Sequence, residues 1–335
     1  MPTKIQNIAI IGDGGWGTTL AVHLAKKNYP VKLWGPFPEY LKEVRKTRTN
    51  SKFLSGIAIP QEVLITDDLK ESLTDADIIV FAVPSKYATQ VLKNIKKTNV
   101  DLSKKIFLSV TKGIDTKSLL RISQIVQKEL GDVSFAVLSG PTIAIEVAKG
   151  IPSTAVVASR KIKTAKIIQE IFNSSSFRIY TNTDVIGVEL GGSIKNIIAI
   201  ACGVCDGLGF GSNTKAAILT RGLAEMARLG KAFGAKEKTF VGLSGLGDLV
   251  TTCVSPQSRN RSVGEQLGKG KTIRHITSSM DMVAEGVDTV IAVYKLSEKH
   301  HVTMPITTEV YHIITKNKKP LLAVSDLMSR KMKSE

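Results

Sequence analysis

The sequence predicts an α/β fold: a mainly parallel sheet covered by helices, followed by a smaller all-α domain. Three observations predict it. Short apolar runs alternate with longer amphipathic ones up to about Tyr180, the signature of strands and crossover helices. After about Asp184 the strand signals give way to long helical patterns. The chain has 335 residues, and roughly one domain per 150 residues makes that two domains. The expected division is 1–183 and 184–335.

The first strand, 5–11, carries Ile8-Ala9-Ile10-Ile11 and runs into Gly12-Asp13-Gly14-Gly15-Trp16-Gly17. A helical pattern follows at once over 16–28, with Leu20, Ala21, Leu24 and Ala25 on one face. Three glycines at this spacing also occur in ordinary turns, but between a strand and a helix they make a phosphate seat. Gly12 permits the tight turn, Gly14 lets the backbone approach a pyrophosphate, and Gly17 lets the helix pack against the strand with its N–H groups facing the anion. That is the Rossmann-like arrangement, and its ligand is a dinucleotide.

Further strands are expected at 31–34, 63–66, 78–83, 106–110, 135–138, 154–158 and 177–180, with helices at 85–95, 119–130, 143–149 and 162–173. Ligands of open parallel sheets lie at the carboxyl ends of the strands. The second strand ends in Leu33-Trp34-Gly35-Pro36-Phe37-Pro38. It offers neither an acid for a ribose hydroxyl nor an Arg for a 2′-phosphate, so NAD and NADP both stay open. Three later ends are suggestive: Val83-Pro84-Ser85, Val110-Thr111-Lys112-Gly113 and Leu138-Ser139-Gly140-Pro141-Thr142. Lys112 suits an anion site or an exposed loop equally. Gly140-Pro141-Thr142 suits a helix start, with Thr142 bonding backbone N–H groups, or a donor cluster aimed at an anion.

In the second domain helices are expected over 219–229, 281–296 and 308–315. Lys195 interrupts the apolar helical run of Ile194, Ile197, Ile198 and Ile200, so it must snorkel or have a use. Facing a cleft near Lys112, its pKa would be lowered by burial and by the second positive charge, as an acid–base group requires. Asp248, in Gly245-Leu246-Gly247-Asp248-Leu249, suits a helix cap, or a group that orients a substrate hydroxyl or that ammonium. In Ser258-Arg259-Asn260, Arg259 with Asn260 suits a bidentate grip on phosphate, or plain surface.

The net charge of +17 is carried largely by scattered lysines such as Lys93, Lys96, Lys97, Lys104 and Lys105. With no basic stripe interleaved with aromatics, it describes a solvated surface and not a nucleic-acid face. Of the three cysteines, Cys202 and Cys205 have C-x-x-C spacing inside an apolar run, which fits buried thiols in a reducing compartment. The five histidines show no metal-ligand spacing, and no metal is expected. With no leader and no apolar run of bilayer length read from the sequence, the expected location is the cytoplasm, without stable membrane insertion.

Taken together, Gly12-Asp13-Gly14-Gly15-Trp16-Gly17-Thr18, Val110-Thr111-Lys112-Gly113, Leu138-Ser139-Gly140-Pro141-Thr142, Gly191-Gly192-Ser193-Ile194-Lys195-Asn196, Gly245-Leu246-Gly247-Asp248-Leu249 and Ser258-Arg259-Asn260 resemble bacterial NAD(P)-dependent glycerol-3-phosphate dehydrogenase. The likeness runs through nearly the whole chain. It implies interconversion of dihydroxyacetone phosphate and sn-glycerol 3-phosphate with NADP or NAD, supplying glycerophospholipid synthesis, by a cytoplasmic homodimer. It implies that Lys195 donates and accepts the proton, and that Lys112, Gly140, Thr142, Lys195, Asp248, Ser258, Arg259 and Asn260 contact the substrate. It assigns Gly15, Trp16, Lys112, Ala144, Arg259, Val283 and Glu285 to the dinucleotide beside Gly12, Gly14 and Gly17; Asn196 and Thr252 match site positions too. Two departures stand out. Asp13 and Gly15 replace the loop's usual small residues, and Asp13 weakens phosphate binding if its carboxylate faces the turn. Pro36 stands where many relatives carry a basic or polar residue near the adenosine 2′ position. The rivals are a dehydrogenase acting on a β-hydroxyacid through a catalytic lysine, and a dinucleotide-sensing regulator without turnover.

Overall fold

The computed structural model describes residues 6–280, 283–332 and 334. Two compact units emerge: residues up to Lys112 with Leu120–Val188, and Gly113–Leu119 with the chain from Glu189 onward.

The first unit runs β1 Ile8–Ile11, α1 Gly15–Ala25, β2 Val31–Trp34, α2 Pro38–Thr47, β3 Thr49–Asn50, β4 Leu54–Ala58, β5 Val63–Thr66, α3 Leu69–Thr74 and β6 Ile78–Phe81. It continues with α4 Ser85–Lys97, β7 Ile106–Ser109, α5 Ile122–Leu130, β8 Ser134–Ser139, α6 Ala144–Ala148, β9 Ser153–Ala158, α7 Ile162–Phe172 and β10 Phe177–Asn182. Eight strands form one sheet in the order β10-β9-β8-β7-β6-β1-β2-β5. Every neighbouring pair in it is parallel except β8 with β9. A sheet covered on both faces needs strands that are apolar throughout, and all four residues of β1, β6 and β7 are buried. The period of two then sends alternate side chains into two cores. Ile8, Ile10, Val80 and Leu108 join Leu20 of α1 and Phe172 of α7. Ala9, Ile11, Phe81 and Phe107 join Leu92 of α4 and Ile125 of α5.

All eight expected strands are present, within a few residues of their expected ends; residue 5 of the first lies outside the described residues. The structure adds three elements between β2 and β6 that the apolar pattern does not announce: α2, the β3–β4 hairpin and α3. Helix α2 buries only Leu41 and Val44, and β3 is two residues long, so neither produces a periodic run.

The second unit consists of α8 Val185–Gly207, which starts at the end of the first unit, α9 Ser212–Ala232, α10 Glu237–Phe240, a π-helical turn Leu243–Gly247, α11 Asp248–Val254, α12 Arg259–Gly268, α13 Ile273–Ser278, α14 Glu285–Lys299, α15 Pro305–Lys316 and α16 Pro320–Met328. The helix expected over 281–296 begins at Glu285; residues 281–282 lie outside the described residues.

One expectation is corrected here. Helix α8 is 23 residues long with a mean hydropathy of 1.5, enough by length and composition to cross a membrane. The sequence pattern concealed it because Glu189 and Lys195 break the apolar run. Of its most apolar 18-residue window, 94% is buried inside the protein, so that apolar surface is spent on packing. Part of that packing needs no side chain at all. A Cβ on Gly203 would lie 2.0 Å from the Arg261 carbonyl oxygen, and one on Gly264 would lie 2.0 Å from that of Ile200. With Gly207 and Gly268 meeting at the same seam, α8 and α12 touch backbone to backbone, as small-xxx-small spacings permit.

Candidate functional site

The glycine turn has the geometry its spacing implies. Gly12 has φ +119°, and a Cβ there would lie 2.7 Å from the Ala82 carbonyl oxygen. A Cβ on Gly17 would collide with the Gly12 carbonyl oxygen at 1.9 Å. Gly14, the N-cap of α1, faces open space: a Cβ there meets nothing within 4 Å, and no side chain caps the helix. An open, uncapped helix N-terminus behind a glycine turn fits a pyrophosphate. Trp16 follows, packed edge-to-face on Phe177 at 6.3 Å. Gly15 has its own reason for lacking a side chain, since a Cβ would sit 2.5 Å from the Phe53 carbonyl oxygen in the β3–β4 hairpin.

Asn50 of β3 braces this turn, a role that sequence reading missed. Its amide nitrogen donates to the Asp13 carbonyl and to Thr18 Oγ1, both at 2.7 Å. Its Oδ1 accepts from Tyr40 Oη at 2.6 Å and from the Phe53 N–H at 3.2 Å. Only the buried polar side chain betrays it; a lone Asn in a polar stretch carries no periodic signal.

The Asp13 carboxyl does not lie over the anion seat. It packs against Gly35 at the end of β2, where a Cβ would come within 2.5 Å of Asp13 Cγ. Burial pushes its pKa up from the usual carboxylate range to about 6.

The ends of β7 and β8 meet. Thr111 Oγ1 donates to the carbonyls of Phe81 and Val83 and ties the β7 end to β6. Lys112 Nζ donates to the Gly140 carbonyl at 3.0 Å and to Thr142 Oγ1 at 3.5 Å. Gly140 has φ +145°, in the left-handed region, and a Cβ there would lie 2.9 Å from Ala155 Cα. Thr142 departs from the expected cap. Its hydroxyl donates to the Gly140 carbonyl, and the N-cap of α6 is Ile143. Ala144 opens α6 and accepts from Thr19 Oγ1 at 3.1 Å, which couples α6 to α1.

The second unit gathers two groups. In the first, the Lys195 side chain is 7% exposed and its Nζ lies 2.6 Å from Asp248 Oδ1, with the Asp248 side chain 2% exposed. Nζ also donates to Thr252 Oγ1 at 2.5 Å, and Thr252 donates to the Asp248 carbonyl at 2.6 Å. Asp248 opens α11, but the cap position belongs to Gly247, so its carboxylate is a partner for the ammonium and not a cap. The described charge beside Lys195 is thus a carboxylate.

In the second group, Ser258 caps α12 by accepting from the Arg261 N–H at 3.2 Å. Arg259 and Asn260 therefore stand on the first turn, where the helix dipole favours an anion. Arg259 Nη1 donates to the Val283 carbonyl at 2.7 Å. Burial lowers the Arg259 pKa, and the nearby Glu285 carboxylate opposes that shift. Asn260 is buried, and its Oδ1 accepts from the Gly286 N–H at 2.9 Å. With the oxygen committed, its amide nitrogen is the end that can meet an anion. A Cβ on Gly286 would lie 2.8 Å from both the Asn196 carbonyl oxygen and Asn260 Oδ1, so Asn196, Asn260 and Gly286 converge and link the two groups.

All three cysteines are free and buried. The Cys202 thiol hydrogen-bonds with Cys253, outside the C-x-x-C pair, and burial pushes Cys205 up to about 12. These are inert packing groups.

Comparison with known proteins is consistent along the chain. Family models for the NAD-dependent glycerol-3-phosphate dehydrogenase N-terminus and C-terminus match residues 7–165 and 184–325. Among curated relatives, "Glycerol-3-phosphate dehydrogenase [NAD(P)+]" of Prosthecochloris aestuarii is 48% identical over 331 residues, covering 98% of this chain and 99% of that protein. The protein of the same name from a Thermoanaerobacter strain is 45% identical over 330 residues, with the same coverage. The crystal structure of glycerol-3-phosphate dehydrogenase from Coxiella burnetii superposes with a TM-score of 0.94 at 40% identity, covering 98% of this chain and 100% of that one. A D-mandelate dehydrogenase, 12% identical with a TM-score of 0.62 over 97% of this chain and 100% of that one, shares the fold alone.

Proposed function

The chain belongs to the NAD-dependent glycerol-3-phosphate dehydrogenase family, and on that premise we propose how its residues divide the work of interconverting dihydroxyacetone phosphate and sn-glycerol 3-phosphate. It is an NAD(P)-dependent oxidoreductase. Gly12, Gly14, Gly15, Trp16 and Gly17 hold the dinucleotide, with Lys112, Ala144, Arg259, Val283 and Glu285 completing its contacts. Bound there, the dinucleotide supplies or accepts the hydride.

Everything else is done by side chains. Lys195 Nζ, as ammonium, gives its proton to the oxygen on substrate C2 during reduction and takes it back during oxidation. Asp248 and Thr252 aim Nζ through two hydrogen bonds. Lys112, set between Gly140 and Thr142, adds positive potential where the oxygen gains charge. Arg259 and the Asn260 amide nitrogen, behind the Ser258 cap, take the phosphate. Binding energy remote from C2 then fixes the reacting carbon. The 1–183 region supplies most of the dinucleotide contacts, and 184–335 supplies the proton carrier and the phosphate grip.

The observation that carries this reading is the buried Lys195–Asp248–Thr252 group, with Asn196 beside Lys195 in sequence and converging with Asn260 on Gly286. A homodimer is supported by the exposed apolar side chains of Val241, Leu246, Val250 and Val254 along one stretch. The free thiols support a reducing, cytoplasmic setting.

The test compares dinucleotide oxidation with dihydroxyacetone phosphate and with dihydroxyacetone. Turnover that requires the phosphate is expected, and Arg259→Ala should raise KM for the phosphorylated substrate at least tenfold, about 1.4 kcal/mol. Equal turnover of both ketones, or an unchanged KM, would overturn the phosphate assignment.

A further inference from the structure

The resemblance assigns no role to Asp13, which stands in the glycine turn. In doubly wound sheets an acid at the end of the second strand, some twenty residues after the glycine turn, takes the ribose 2′-hydroxyl and turns away a 2′-phosphate. Here that position is Gly35, which has no side chain to offer. The space is filled from the other side. A Cβ on Gly35 would lie 2.5 Å from Asp13 Cγ and 2.6 Å from Asp13 Oδ2.

Asp13 is 6% exposed, and its Oδ2 is buried with no hydrogen-bond donor among the described residues. A buried carboxylate oxygen without a donor is costly, and such costs gather at binding sites. The carboxyl keeps its charge near neutral pH, because burial raises its pKa only to about 6. The two arginines nearest in sequence after the second strand are already engaged. Pro36 and Phe37 follow Gly35, while Arg45 is engaged with the Ile65 carbonyl and Asp67, and Arg48 with the carbonyls of Ile59, Pro60 and Val63.

We propose that Asp13 supplies, from the glycine turn, the carboxylate that selects NAD(H): the ribose 2′-hydroxyl provides the donor Oδ2 lacks, and the 2′-phosphate of NADP(H) is repelled. Asp13 and Gly35 then form one exchange, with the acid moved from the strand end to the turn and the strand end emptied to admit it. This rests on the dinucleotide reading of the glycine turn.

The test is calorimetric titration of the full chain with NADH and with NADPH, for the unaltered protein and for Asp13→Asn and Asp13→Ala, each first checked by thermal melting. The unaltered protein should bind NADH at least tenfold more tightly, with the ratio falling to about threefold or less in both variants. Equal or tighter binding of NADPH by the unaltered protein would overturn the proposal, even if neither variant folds. So would an unchanged ratio in a folded variant. If the folded, unaltered chain binds neither dinucleotide, the underlying reading of the turn fails and this proposal falls with it.

Discussion

Lys195 and Asp13 are both buried charges, yet their surroundings oppose each other. Lys195 has a carboxylate and a hydroxyl within hydrogen-bond distance, which suits a group that must carry a proton. Replacing it with Ala should lower kcat by about 10² to 10⁴, the reach of acid–base catalysis, while the Kd for dinucleotide stays within about twofold. Single-turnover kinetics beside direct titration check this. Asp13 has burial without a partner for Oδ2, and the sign of its effect follows. Its folded pKa of about 6 exceeds the 3.8 of the free side chain. Between those values the folded state binds more protons than the unfolded one, so stability falls as pH rises through the window. The full penalty is present above pH 6. Two units correspond to about 3 kcal/mol. Asp13→Asn should therefore be more stable above pH 6 by up to that amount and equal below about pH 4, as urea titrations across pH would record. Residues differ in legibility for a physical reason. Lys195 is conspicuous because a charge in an apolar helix needs explaining, and Arg259 because it neighbours Asn260 in a polar run. Asn50 and the orientation of Asp13 depend on chain segments folding onto the turn, which no local pattern encodes.

At the level of elements, the α8–α12 contact carries the site. Lys195 and Asn196 ride on α8, Arg259 and Asn260 on α12, and the two helices meet through glycines. Gly264→Ala would place a methyl 2.0 Å from the Ile200 carbonyl oxygen. Backbone cannot yield as a side chain can, so the expected loss is about 1–3 kcal/mol or more. Chemical denaturation measures it, and the surviving activity should show a raised KM for the phosphorylated substrate. The strands of the sheet were legible because burial on both faces demands continuous Ile and Val. Helix α2 and the β3–β4 hairpin were not, because each buries too little to leave a repeat. The antiparallel entry of β9 was equally silent, since strand direction depends on the connections and not on the strand's own residues.

For the molecule as a whole, the charge of +17 matters more to encounter than to folding. An anionic substrate approaches a positive surface faster than a neutral one. Between about 0.01 M and about 1 M salt the Debye length shrinks from about 30 Å to about 3 Å. KM for dihydroxyacetone phosphate should rise several-fold across that range, as steady-state assays would show. The change from sheet to helices near residue 184 was legible in composition. The assignment of Gly113–Leu119 to the second unit was not, for a seven-residue loop after β7 reads like any other. That loop has a consequence for how the protein is made. Ile114 is 1% exposed and Asp115 9%, yet both leave the ribosome well before the rest of the unit they belong to. A chain halted at Val188 would hold β1 to β10 and still lack most of the unit to which Ile114 belongs. Folding here cannot proceed as two finished episodes; the early half holds a seat open for the later one.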